Sequence, residues 1–158
     1  MKFFEEIAEN KVLMVVGVAW LLAQIIKIIG TVITERRFEP KRIFGDGGMP
    51  SAHSATVTSL AVMVGHTAGY GSVAFAIALI LAVVVMNDAT GVRLEAGKHA
   101  ASIKELASAV NGLFHKEEDK HIKTEKLKLL VGHTPLQVFF GALLGLVIAI
   151  GAILIFEI

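Results

Sequence analysis

The sequence predicts an all-α integral membrane protein: a bundle of four transmembrane helices plus a cytoplasmic amphipathic helix. Three observations predict it. Of the 158 residues, 54% are hydrophobic and 18% charged, and the mean hydropathy is +0.69. A soluble domain of this size would be nearer half apolar and about a quarter charged. The apolar residues also fall in long blocks, and about 20 helical residues are enough to cross a hydrocarbon core of about 30 Å. Finally, the connecting stretches are polar, and the length leaves room for one domain.

The elements follow in order. The N-terminus carries Glu5, Glu6 and Glu9 instead of a basic region, so it does not read as a cleaved signal. Residues 12–34 are apolar except for Gln24 and Lys27 and form the first expected span. After the polar loop ERRFEPKRIFGDGGMP, residues 51–66 form a second span rich in Ser, Thr and Ala, suited to close packing in a bundle. A short Gly-containing turn leads to the third span, residues 71–88, which is almost unbroken aliphatic from Val73 to Met86. Residues 92–131 form a polar cytoplasmic insertion. Within it, Ile103, Leu106, Val110 and Leu113 recur at three- and four-residue steps, the mark of an amphipathic helix. The run HKEEDKHIKTEK reads as a solvated loop. The fourth span is residues 135–156, with Thr134 as its N-cap and Pro135 at the first helical position.

Four spans put the first polar loop and the 92–131 insertion on the same side. The loop holds Arg36, Arg37, Lys41 and Arg42, and the insertion carries Arg93 and a series of lysines from Lys98 to Lys128. The opposite side has Lys2 and Lys11. The positive-inside rule then makes the basic side cytoplasmic. The absence of cysteine excludes disulfide and thiol chemistry. A net charge of +1 gives no ground for expecting nucleic acid as a partner.

The same topology gathers polar groups at that side. Lys27 comes from the first span, and Ser51 and His53 open the second. Asp88 and Arg93 follow the third, and His133 and Gln137 open the fourth. Two helix N-termini aimed at one place, with Lys and Arg around them, suit an anion such as phosphate. Two histidines beside that anion divide the chemistry of phosphoryl transfer: one attacks phosphorus and the other protonates the leaving oxygen. Asp88 is a candidate to pair with Arg93 and hold it. His66 falls at the other end, while His115 and His121 flank an acidic run and read as solvated.

Pro50-Ser51-Ala52-His53 resembles the PSGH motif of the type 2 phosphatidic acid phosphatase (PAP2) and vanadium haloperoxidase superfamily. His133-Thr134-Pro135-Leu136-Gln137-Val138, followed by Gly141 and Gly145, resembles that superfamily's HxxxDVxxG motif. The chain as a whole resembles the divergent, YuiD-like bacterial branch of small membrane proteins. In that branch GGMPS-x-HS, DA-x-GVR and GHTP recur, and all three occur here. The resemblance implies His133 as a nucleophile forming a phosphohistidine and His53 as general acid. It also implies Ser51, Arg93 and Lys27 as phosphate ligands, with no metal and no cofactor. Two positions depart from the motifs: Ala52 stands for glycine, and Gln137 for the aspartate that orients the nucleophile. An amide at Gln137 can accept a hydrogen bond from the imidazole but cannot stabilise an imidazolium by charge.

The resemblance therefore implies a membrane phosphatase in the bacterial cytoplasmic membrane, cleaving a lipid phosphate or diphosphate at the cytoplasmic side. The competing reading is a non-catalytic protein that binds or translocates an anionic lipid headgroup with the same basic site. A third makes the helix around Leu106 an interaction module. Four helices are few to enclose a site, which points to a homodimer.

Overall fold

A computed structural model describes residues 2–35, 48–113 and 132–156. All the regular structure among them is helical: α1 (Lys2–Ala8), α2 (Lys11–Glu35), α3 (Ala52–Ala68), α4 (Val73–Thr90), α5 (Val92–Leu113) and α6 (Pro135–Phe156). Arg36, Arg37, Lys41 and Arg42 of the first loop lie outside the described residues. So do His115, His121 and the acidic run between them.

The starts of the helices are written in side chains. Asn10 Oδ1 accepts the Leu13 amide at 3.1 Å and opens α2. Ser72 Oγ accepts the Phe75 amide at 3.1 Å and opens α4. Each bond satisfies one of the amides that a helix start leaves without an internal acceptor. Helix α1 was not expected: it has seven residues, and its Phe3, Phe4 and Ile7 are all exposed.

Helix α3 is the centre of the bundle, packed by α2, α4 and α6. Its small residues let backbones come close, so the core is built largely of alanine and serine. Two apolar clusters fix the registers. Ala23 of α2 packs with Ala52 and Ala55 of α3, and Val15 packs with Met63, so α2 and α3 run antiparallel. Helix α6 runs the other way, parallel to α3. Gly141 meets Ser51 and Ser54, Gly145 meets Ala55, and Ala149 and Ala152 join Met63 further along. Helix α4 returns antiparallel to α3 after the tight turn at Gly69–Ser72. The end of α2, the start of α3, the end of α4 and the start of α6 therefore share one end of the bundle.

Among the described residues, three stretches are long and apolar enough to cross a membrane: Lys11–Ile33, Val73–Val110 and Pro135–Phe156. Their outward residues are large and bare, among them Ile33, Val73 and Ile155, each over 70% exposed. Apolar surface on that scale needs lipid or a partner to cover it. The expected fourth crossing, α3, is 17 residues, about 25 Å at the helical rise. Two of its hydroxyls are turned into the helix itself: Thr56 Oγ1 donates to the Ala52 carbonyl at 2.7 Å and Ser59 Oγ to that of Thr56 at 2.9 Å. It is the shortest and most polar of the helices expected to span.

In helix α5 the apolar face read from the sequence lies outward. The small residues Gly97, Ala100 and Ala107 are buried, whereas Ile103 and Leu106 are 50% and 66% exposed. The helix packs by close approach on its small residues and leaves its large apolar seam outside.

Candidate functional site

Each polar group of the shared end is held by a local device. On α2, Lys27 is 5% exposed, and its stem lies against Gly48. Gly48 has φ +105°, and a Cβ there would come within 2.9 Å of Lys27 Cδ. A side chain at position 48 would therefore both strain the backbone and push the lysine aside. The backbone at Gly48, just ahead of α3, thus lies directly against the lysine.

Ser51 is the N-cap of α3. Its fully buried hydroxyl accepts from the Ser54 amide at 3.3 Å and the Ser54 hydroxyl at 3.0 Å. The Ser51 amide donates to the Gln137 backbone carbonyl at 3.0 Å, tying the start of α3 to the first turn of α6. This bond requires the close approach permitted by Gly141, where a Cβ would overlap the Ser51 carbonyl oxygen.

His53 follows in the first turn of α3 and is exposed, while His133, just ahead of α6, is 3% exposed. Their rings meet edge to face, with centroids 5.9 Å apart and planes at 84°. The His133 amide donates to the Ala89 carbonyl at 2.9 Å. That oxygen lies in the last turn of α4, where carbonyls have no internal donor, so the bond pins the buried histidine to the end of α4. Gly132, at φ +89°, makes this possible: a Cβ there would overlap the backbone at Arg93 and Leu94. Arg93 is thereby brought next to the His133 segment. Its Nε donates to Asp88 Oδ2 at 2.6 Å, across the break at Gly91 between α4 and α5.

Gln137 has a second role that the sequence already contained. Its side-chain carbonyl accepts the Thr134 amide at 3.0 Å, while Thr134 Oγ1 accepts the Gln137 amide at 3.4 Å. This reciprocal pair is a capping box, written as Thr-x-x-Gln. Thr134→Ala is expected to lower stability by about 1 kcal/mol through loss of the N-cap, measured by thermal unfolding in detergent. Gln137→Glu should leave stability nearly unchanged, because glutamate serves the same box.

The structure thus places His53 against His133 and Arg93 beside the His133 segment. It packs Lys27 against Gly48, just ahead of Ser51, and seats Gln137 on the cap of α6. Lys98 pairs with Glu95 at 2.6 Å on the exposed face of α5. His66 sits in the last turn of α3, at the far end. Among the described residues, no group of three His, Cys, Asp or Glu side chains is arranged to hold a metal ion. Gly48, Gly132 and the Ala89 carbonyl were missed as positioning elements. Glycines beside each motif were the only available sign, since a backbone carbonyl leaves no mark in sequence.

The arrangement has relatives in sequence. Over 137 residues, covering 84% of this chain and 87% of the relative, the chain is 39% identical to the uncharacterized membrane protein YuiD of Bacillus subtilis (strain 168). No solved structure matches. The family description "Divergent PAP2 family" matches residues 8–148, which take in every site residue above. On both grounds the chain belongs to the divergent PAP2 family.

Proposed function

We propose that this protein is a membrane phosphatase acting on a lipid phosphate or diphosphate through a phosphohistidine, without a metal ion. The observation that carries this reading is the pairing of two histidines at 5.9 Å, one buried and one exposed, at parallel helix starts. His133, pinned to α4 through its amide, attacks phosphorus through a ring nitrogen as the phosphorus–oxygen bond to the leaving group breaks. His53, on the open side, gives its proton to the leaving oxygen. A water molecule then attacks the phosphohistidine, His53 takes up the water's proton, and phosphate leaves. Lys27, Arg93, Ser51 and the amides at two helix starts neutralise the equatorial oxygens. In this reading α3 is the fourth crossing, the basic side faces the cytoplasm, and the substrate headgroup reaches the site from the cytoplasmic leaflet.

Purified protein in detergent, with EDTA present, is expected to release phosphate from at least one of dioleoyl phosphatidate and a polyprenyl diphosphate. No release from either by folded protein would favour the competing role, binding or moving an anionic headgroup. One observation favours that competitor: the Gln137 oxygen is used by the cap of α6, and it is an amide where the family motif has a carboxylate. Gln137→Glu keeps the capping box and supplies charge, so it is expected to raise turnover. Each tenfold gain corresponds to about 1.4 kcal/mol of transition-state stabilisation. An unchanged rate in the folded variant would show that the amide is not limiting.

A further inference from the structure

The last turn of α4 holds two members of the site through adjacent residues. The Ala89 carbonyl holds the His133 amide at 2.9 Å, and Asp88 Oδ2 holds Arg93 Nε at 2.6 Å. Gly132 seals the triangle, since its missing Cβ lets the His133 segment lie directly on the Arg93–Leu94 backbone. A carboxylate bound at Nε fixes the plane of a guanidinium and so the direction in which its other donors point. Gly91 breaks the helix between the two residues, and it is this break that lets the aspartate reach an arginine five positions on.

We propose that Asp88 is a positioning residue of the phosphate site: it orients Arg93 toward the anion that His133 attacks. This rests on the phosphatase reading only in so far as an anion occupies the site. The proposal has a distinctive sign. A carboxylate near a bound anion repels it, so removing a bystander aspartate would tighten anion binding. Removing a positioning aspartate loosens it.

The test is orthovanadate affinity, followed by vanadium NMR on the full chain in detergent, for wild type, Asp88→Ala, Asp88→Asn, Arg93→Ala and the Asp88→Ala/Arg93→Ala double variant. Asp88→Ala and Arg93→Ala are each expected to weaken binding about tenfold, and the double variant no further than Arg93→Ala alone, since coupled residues are not additive. Asp88→Asn keeps an acceptor oxygen and falls between wild type and Asp88→Ala. Both side chains are about 40% or more exposed, so the unfolding temperature should not move with affinity. Affinity unchanged or tightened in Asp88→Ala, or losses that add in the double variant, would overturn the positioning role while leaving the anion site intact. Wild type that binds neither orthovanadate nor inorganic phosphate would overturn the site and the proposal together.

Discussion

His133→Ala is expected to abolish turnover of a lipid phosphate and to leave no acid-labile phosphoenzyme. A nucleophile cannot be replaced by positioning alone, and its loss in enzymes that work through a covalent intermediate costs up to about a millionfold. His53→Ala should act differently, because a general acid contributes about 10²–10⁴-fold. That loss should shrink for a substrate such as p-nitrophenyl phosphate, whose leaving group needs little protonation, and phosphoenzyme should still be trapped. The asymmetry follows from placement. His133 is buried and anchored through Ala89, while His53 is exposed where a leaving group and water can reach it. Equal, modest losses of headgroup binding in both variants, with no phosphoenzyme in either, would instead identify a binder.

The second large effect concerns the fold. Gly145→Ala is expected to destabilise the protein by about 1–3 kcal/mol, as overpacking does in a close-packed core. A Cβ at Gly145 would overlap the Ala55 carbonyl, and one at Gly141 the Ser51 carbonyl. Backbone atoms cannot turn away as a side chain can, so α6 would have to lift off α3. Lifting it would also break the bond from the Ser51 amide to Gln137 and separate the two histidine-bearing helix starts. Gly17→Ala is the control: nothing lies within 4 Å of its added methyl, and alanine is the better helix former by about 1 kcal/mol. Thermal unfolding in detergent separates the two. Equal tolerance of both substitutions would mean that α3 and α6 do not meet in this register.

Much of this was legible in the sequence, for physical reasons that also explain the rest. Long apolar blocks gave the helices, because only length and composition are needed to identify them. PSAH and GHTP pointed to helix starts, because Ser51 and Thr134 carry cap chemistry, and four alternating helices put those starts at one end. The pairing of Asp88 with Arg93 could be suggested, since five residues spanning a glycine can bring opposite charges together. What sequence could not say is which backbone comes near which glycine. Gly132 against Arg93–Leu94 and Gly48 against Lys27 depend on the final packing. The seam of Ile103 and Leu106 was legible only as a face, since periodicity identifies an apolar face without saying whether this chain covers it. Gln137 was open to two readings, because an amide three residues after Thr134 and four after His133 fits both a cap and an imidazole partner.

The parallel course of α3 and α6 has a thermodynamic consequence. Each presents about half a positive charge at its N-terminus, side by side at the histidine-bearing end, with the C-termini of the antiparallel α2 and α4 around them. An anion held between those two helix starts, as proposed above, would link folding to ligand concentration. An anion bound only by the folded state stabilises by RT ln(1 + [L]/Kd), about 2.7 kcal/mol at a hundred times Kd. Orthovanadate or phosphate should raise the unfolding temperature steadily with concentration, whereas chloride at matched ionic strength should not. Preparations made in phosphate and in a zwitterionic buffer would then differ in stability, although the chain is the same.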